Sequence, residues 1–444
     1  MFNRSATTVN TLLEPLQPLA RLILWFESLI LTGITLAFWF PTPTRTDWLW
    51  VIWLLVPLLV ARYICYRRVI TRTPLDLYFA VFMILGVINV YAAPYTRGLM
   101  MLARPLLGIA LYYALVERTR ITGSLHSAMQ VIILLGILLG IHALGATQWS
   151  GKSDQLRFLI DLMPTVRNPT AEGGFNVNEI AGAVAWVLPF TAGIAAYRWR
   201  VRGIRWDVTL AFVMLFLGII LGQSRSAIAG VVVGLFLVSL FTLRGLWRLL
   251  AWGLLIGIIA LEVMLITDGL AQAPQTDAAG EVALARDEES AVIRLDIWSS
   301  ALAIIRDYPF NGVGLSMFRD GRVRERYPVP SMEGKILPHT HNEILQITSD
   351  MGLPGLLVFI SIHVVAAWML VQAWRSGDEE TRAVSVAVAA GLLAHAIFGL
   401  TDAITLWDRF GFMLWLMLGV AGAVYTHAMY HVNLKRESPE SVPA

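Results

Sequence analysis

The chain has 444 residues, a net charge of +3 and a single cysteine, Cys65; 57% of its residues are hydrophobic and only 15% are charged. A soluble domain averages roughly 45–50% apolar and about 25% charged residues, so this composition excludes an ordinary soluble globular protein. The small net charge argues against a nucleic-acid partner, and one thiol excludes both a disulfide framework and a thiolate metal site.

The apolar excess falls in about twelve runs, each near the roughly 20 residues that a helix needs to cross a bilayer. They centre on residues 21–40, 47–65, 75–93, 98–116, 125–147, 179–197, 208–222, 227–243, 249–267, 353–373, 383–400 and 408–430. Trp48, Trp50, Trp149, Trp199 and Trp206 sit near run ends, as an interfacial aromatic belt requires. Basic residues gather in alternate short loops: Arg67, Arg68 and Arg72; Arg118 and Arg120; Arg198, Arg200, Arg202 and Arg205; Arg244 and Arg248; Arg375 and Arg382; then Lys435 and Arg436. Short basic loops stay in the cytoplasm, which places both termini there. The segment Leu12–Pro18 shows no small-residue cleavage pattern, so no cleavable signal peptide is expected.

The expectation is an all-α polytopic membrane protein. Residues 1–267 form a bundle of the first nine spans with an outer segment at 148–178. Residues 268–341 form a large, partly helical outer loop, 342–432 the last three spans, and 433–444 a cytoplasmic tail. Internal repeats are not evident.

Arg104 lies inside the fourth run. An intramembrane charge is by default a functional candidate, although Glu27 offers it a pairing partner within the bundle. Asn176, three residues before Glu179, marks a helix start, and Ala181, Gly182 and Ala183 allow close helix packing. Asn178 and Glu179 are cleft-lining candidates in this mostly structural motif.

Gly222-Gln223-Ser224-Arg225 forms a tight outer turn. A cation in the first turn of a helix is electrostatically misplaced and expensive near the bilayer. A bound diphosphate resolves both problems; snorkelling to headgroups is the plain alternative. In the large loop, residues 271–289 are rich in small and acidic residues, whereas 290–307 read as a helix capped by Ser290. Its apolar stripe is Ile293, Ile297, Ala301, Ile304 and Ile305. Pro309 ends it and Asn311-Gly312-Val313-Gly314 is a turn. Arg294 edges the stripe beside Trp298, with a salt bridge to Glu289 or Asp296 as the plain alternative. The run Arg322-Val323-Arg324-Glu325-Arg326 reads as a solvated face. Arg167 and Arg319 are further outer cations.

At the return into the membrane stands His339-Thr340-His341-Asn342-Glu343. Thr340 and Glu343 have capping-box spacing, which predicts a helix from His341. The positive helix end disfavours an imidazolium, so His341 is expected to be neutral and able to accept a proton. The same end attracts phosphate. Packing at a helix start is the plain alternative. His-x-His is poor spacing for two zinc ligands on one helix face, so no metal is expected.

In this order the motifs resemble the bacterial O-antigen ligase and O-antigen polymerase superfamily: Asn176 to Glu179, Gln223 to Arg225, Arg294 to Trp298, Gly312 to Gly314, then His341-Asn342. The resemblance covers about residues 175–355. It implies a GT-C-like membrane glycosyltransferase in a bacterial inner membrane, with a periplasmic site and neither metal, cofactor nor nucleotide sugar. The implied donor is a glycan on undecaprenyl diphosphate. The acceptor is a hydroxyl on lipid A–core, on another repeat unit or on a protein, giving respectively a ligase, a polymerase or a protein glycosyltransferase. A compact chain with one moderately large loop favours the ligase. Within that reading His341 is the general base, with His339 orienting the acceptor or substituting. Arg225, Arg294 and Arg167 hold the diphosphate, and Asn178, Glu179, Ser224, Asn342, Trp298 and Arg104 line the cleft. A transporter of lipid-linked sugar is the competing class, but it commonly shows paired half-repeats and broken helices, which are not evident.

Overall fold

The computed structural model describes residues 14–39, 53, 55–92, 96–145, 147, 157–162, 175–271, 286–333, 337–404 and 406–437. Helices dominate, and the described residues contain no strand beyond an isolated bridge between Thr147 and Phe175. We number the main helices α1 (Gln17–Trp25), α2 (Glu27–Trp39), α3 (Leu55–Tyr66), α4 (Asp76–Ala92), α5 (Thr96–Thr122), α6 (His126–Gly145), α7 (Val177–Arg202), α8 (Trp206–Gly222), α9 (Arg225–Thr242), α10 (Leu246–Ala271), α11 (Arg286–Asp307), α12 (Gly321–Arg326), α13 (Glu343–Ser376), α14 (Glu379–Phe398) and α15 (Phe412–Glu437).

Each expected apolar run contains a helix, but length and composition do not carry all of them across a membrane. Among the described residues six helices are long and apolar enough: α6, α7, α9, α13, α14 and the last helix from Arg409 to Tyr430. The helix α3 has 12 residues and α4 and α8 have 17 each, short of the roughly 20 that a span requires. The 27-residue α5 is long enough but carries Arg104, Glu117, Arg118 and Arg120. The expected twelve spans are therefore six by this measure.

The core of the bundle is α7 and α15, whose apolar windows are almost wholly buried. Antiparallel contact joins α7 and α9 to α14. Gly230 lies against the Ala394 carbonyl and Gly234 against that of Ala390, while Gly182 faces Phe398 and Gly193 faces Ala387. A Cβ at Gly230 would collide with the Ala394 backbone, so glycine permits this close approach. Against α5, α15 runs parallel: Gly108 meets Trp415 and Gly419 meets Tyr112. These registers bring the starts of α7, α9 and α15, the end of α14 and the Arg104 level of α5 to one end of the bundle.

The loop helix α11 begins at Arg286, so Ser290 is inside it rather than capping it. Its stripe is as expected: Ile297, Ala301 and Ile304 are buried with Phe318, Tyr327, Val329 and Leu337 in a separate small core. That core docks on α13 through the Asn311–Gly314 turn. The Val313 amide donates to the Ser349 carbonyl (2.8 Å), the Gly314 amide to Asp350 (3.2 Å) and the Leu353 amide back to Pro309 (2.7 Å). The Asn89 side chain donates to the Asn311 and Asp350 carbonyls. Gly352, at φ +70°, breaks α13 at this seam. A Cβ there would strike the Phe310 backbone, and one at Gly312 (φ +61°) would strike Ser349 and Asp350.

Candidate active site

The histidine turn is built from both sides. The helix α13 starts at Glu343 with Asn342 as N-cap, whose side-chain oxygen accepts the Leu345 amide at 2.9 Å. The expected Thr340–Glu343 capping box is not formed. The Thr340 hydroxyl instead donates to the Asn342 carbonyl (2.7 Å), and Glu343 is buried with its Oε2 3.7 Å from His395 Nε2. His341 stands outside the helix in a left-handed conformation, φ +50°, uncommon for a residue with a side chain. Two contacts hold it there. Its amide donates to His339 Nδ1 (3.2 Å), and its own Nδ1 lies 3.0 Å from Asp402 Oδ1. Gln346 reaches back to accept the Thr340 amide (2.9 Å) and donates to the Asp350 carboxylate (2.8 Å), which also accepts the Trp407 indole (2.7 Å).

Asp402 is the residue that sequence reasoning missed. It lies in the turn after α14, where its amide donates to the Phe398 carbonyl. Burial works to protonate its carboxyl, but the His341 hydrogen bond, the two imidazoles and the Ala403 amide outweigh burial and hold the pKa below the usual carboxylate range. An ionised Oδ1 only accepts, so His341 Nδ1 carries a proton and donates it to Asp402. This is the orientation that a carboxylate imposes on a catalytic imidazole in general. Burial, then the neighbouring His341, pushes His339 down to about 4, so that ring is neutral at pH 7. Its tautomer is also set: Nδ1 accepts from an amide, so the proton is on Nε2.

Two further ion pairs lie beside the histidines. The short turn Met317–Arg319 delivers Arg319 to Asp408 (2.9 Å). Burial alone would lower its pKa, but the charge of Asp408 and the hydrogen bond to it raise it. Arg409 pairs with Glu179 at 3.0 Å and lies over the Phe175 ring. The electrostatic neighbours of Arg104 are Asp408, Arg319 and Arg409. It does not pair with Glu27, which binds Arg62 at 3.0 Å instead. The signal for these residues was available: Asp402, Asp408 and Arg409 fill a short link between two apolar runs, where charge is costly.

The other expected site residues divide clearly. Asn176 caps α7 by accepting the Asn178 amide (2.8 Å), and Asn178 and Glu179 stand at the end of the bundle where α14 finishes. Asn342 donates to the Leu400 carbonyl (2.9 Å). Trp298 donates to the Thr340 carbonyl (3.1 Å), which fixes α11 to the histidine turn; Arg294 lies one helical turn before Trp298 on the same helix. Ser224 is the buried N-cap of α9, preceded by left-handed Gln223. Arg225 opens α9 and is exposed. Continuing the α9–α14 register sets it level with Gly399, whose carbonyl accepts the Glu343 amide (2.8 Å). Arg167 lies outside the described residues, as do 272–285 of the segment expected to be small and acidic. In the Arg322–Arg326 run, Arg324 is not solvated. It stacks over Phe318 (3.9 Å to the ring centre) and donates to Ser300 Oγ (3.1 Å), and burial lowers it to about 10.

Among the described residues one group of three donors could hold a metal ion: His339, His341 and Asp402, with one ligand atom from each within 4.8 Å of the others. Chemically the site offers an imidazole oriented by an ionised carboxylate, at the same end of the bundle as Arg225. No curated protein matches the chain. Residues 210–360, which contain α9, the loop core and the histidine turn, match the family model described as O-antigen ligase, and this match supports membership of the O-antigen ligase/polymerase family.

Proposed function

We propose that the protein is a membrane glycosyltransferase that moves an O-antigen glycan from undecaprenyl diphosphate to a sugar hydroxyl of lipid A–core at the periplasmic face. The observation that carries the proposal is the His341–Asp402 pair. It sets an imidazole, oriented by a carboxylate, beside a helix start, where the helix dipole favours an anion.

In this reading the acceptor hydroxyl gives its proton to His341 Nε2 as its oxygen attacks the anomeric carbon. Asp402 accepts from Nδ1 and stabilises the imidazolium that forms. General-base assistance of this kind contributes typically about 100- to 10,000-fold. Arg225 and Arg294 grip the diphosphate through charge-assisted, bidentate contacts. Those contacts strengthen as the glycosidic bond breaks and charge builds on the leaving group, so they favour the transition state over the bound donor. One displacement inverts the anomeric centre. The arginines supply the positive charge, so the reaction proceeds without a metal. Arg319 and Arg409 are each paired with a carboxylate, and we assign them to fixing the Asp402–Asp408 link rather than to the donor.

The test is reconstitution of the purified chain in lipid vesicles with an undecaprenyl-diphosphate glycan and lipid A–core, in excess chelator, with products read by mass spectrometry. Glycosylated lipid A–core with inverted linkage is the expected product. Elongated donor without lipid A–core product would make the protein a polymerase, and intact donor would overturn the transferase reading.

A further inference from the structure

We propose that His339, His341 and Asp402 bind a zinc-class divalent cation, and that the bound ion silences transfer; the silencing rests on the reading of His341 as the base, whereas the binding does not. The usual objection to His-x-His as a zinc motif is that residues two apart do not share a helix face. Neither histidine is in a helix here. The left-handed backbone at His341 folds the pair so that their ring centres are 4.3 Å apart, and the link after α14 contributes Asp402 as a third donor of different origin.

The donor atoms are suitably prepared. His339 Nδ1 carries a lone pair, now accepting the His341 amide at 3.2 Å, and an ion takes the place of that amide proton. Asp402 Oδ1 lies 3.9 Å from that nitrogen and 3.0 Å from His341 Nδ1. Zinc binds nitrogen and oxygen at about 2.0–2.2 Å, so tetrahedral ligands stand about 3.4 Å apart, between the two observed separations. Two neutral imidazoles and one carboxylate suit zinc; magnesium and calcium select oxygen ligands. The histidine side chains retain 15% and 25% of their exposure, enough for an ion to reach them, and a water molecule completes the coordination.

Silencing follows from proton balance. Coordination through His341 Nδ1 needs that nitrogen's lone pair, so its proton moves to Nε2. No proton leaves the ring; the hydrogen bonds from His341 Nδ1 to Asp402 and from the His341 amide to His339 Nδ1 are exchanged for three metal–ligand bonds, and the Nε2 lone pair that would accept the acceptor's proton is gone.

The experiment is calorimetric titration of Zn²⁺, with Mg²⁺ in parallel, into the chelator-stripped full chain in detergent, for wild type, His339→Gln and Asp402→Asn. Thermal melts in chelator identify which variants are folded. One saturable zinc site per chain is expected, weakened roughly tenfold or more in each folded variant, with no saturable magnesium binding. Absence of a saturable zinc site in the wild type overturns the proposal, as does unchanged zinc affinity in a folded variant. Transfer measured in chelator and in stoichiometric zinc separates the two readings. Activity in chelator that zinc abolishes supports both. Activity indifferent to a bound zinc overturns the silencing. Zinc binding in a protein with no transfer in chelator leaves the site standing and removes the transferase.

Discussion

The helix α13 is two different objects joined at Gly352. Before the break, Glu343, Gln346, Thr348, Ser349 and Asp350 are all buried, and the Gln346 and Asp350 side chains and the Ser349 and Asp350 carbonyls serve the histidine turn or the loop clamp. After it, Leu353, Leu357, Ile360, Val364, Trp368 and Val371 are exposed along an apolar helix that runs to Ser376. That exposed face needs only to be apolar, while the opposite face packs Phe359, Ile362, Ala366, Met369 and Leu370 into the bundle core. In the first half those side chains and carbonyls have named partners, and burying them unpartnered would be expensive. The same backbone thus yields a replaceable half and a committed half, and the difference can be attacked directly.

The largest effect is expected at the end of the committed half. His341→Ala should lower turnover by about 100- to 10,000-fold while donor binding, read by equilibrium binding of the lipid-linked glycan, stays within a few-fold of wild type. Arg225→Lys should be nearly as damaging as Arg225→Ala, because an ammonium cannot reproduce the guanidinium fork; transfer close to normal in the Lys variant would remove the diphosphate clamp. Across the break, Gly352→Ala should cost about 1–2 kcal/mol from the left-handed backbone alone, and more from the clash with Phe310. Leu357→Ala in the exposed half should stay within about 0.5 kcal/mol. Denaturation in detergent compares them, and equal losses would erase the distinction between the halves.

The smallest effect is a pH dependence. His339 is held at about 4 when folded, below its ordinary value of 6.5. Between those values the unfolded chain binds more protons than the folded one, so stability falls as pH drops from 6.5 toward 4. His339→Gln should flatten that part of a melting-temperature profile. An unchanged slope would mean that other groups cause it.

The sequence disclosed the replaceable half readily, because an apolar run and its flanking arginines report themselves locally. It also disclosed the stripe on α11, the cap at Asn176 and the glycine turn at 312–314. The committed half was less legible. Thr340 and Glu343 have capping-box spacing, yet the cap is Asn342, because His341 turns away from the helix toward Asp402, 61 residues on. Asp402, Arg319 and Arg409 gain their roles only from the registers that gather one end of the bundle, and no local pattern encodes a register between helices. Arg104 stands out as a charge inside an apolar run, but the alternative of pairing it with Glu27 is not met, because Glu27 binds Arg62. The span count is met in part: hydropathy finds apolar segments, and among the described residues six of the helices in them are long and apolar enough to cross alone.

The most direct measurement is the split between binding and turnover in Asp402→Asn. The amide keeps the shape but offers no charge to an imidazolium and can present a donor to His341 Nδ1. With donor and acceptor saturating, turnover should fall about 100-fold or more and the dissociation constant of the lipid-linked donor should change by less than about threefold. Turnover near wild type, or donor affinity lost in step with turnover, would contradict an Asp402-oriented base at His341.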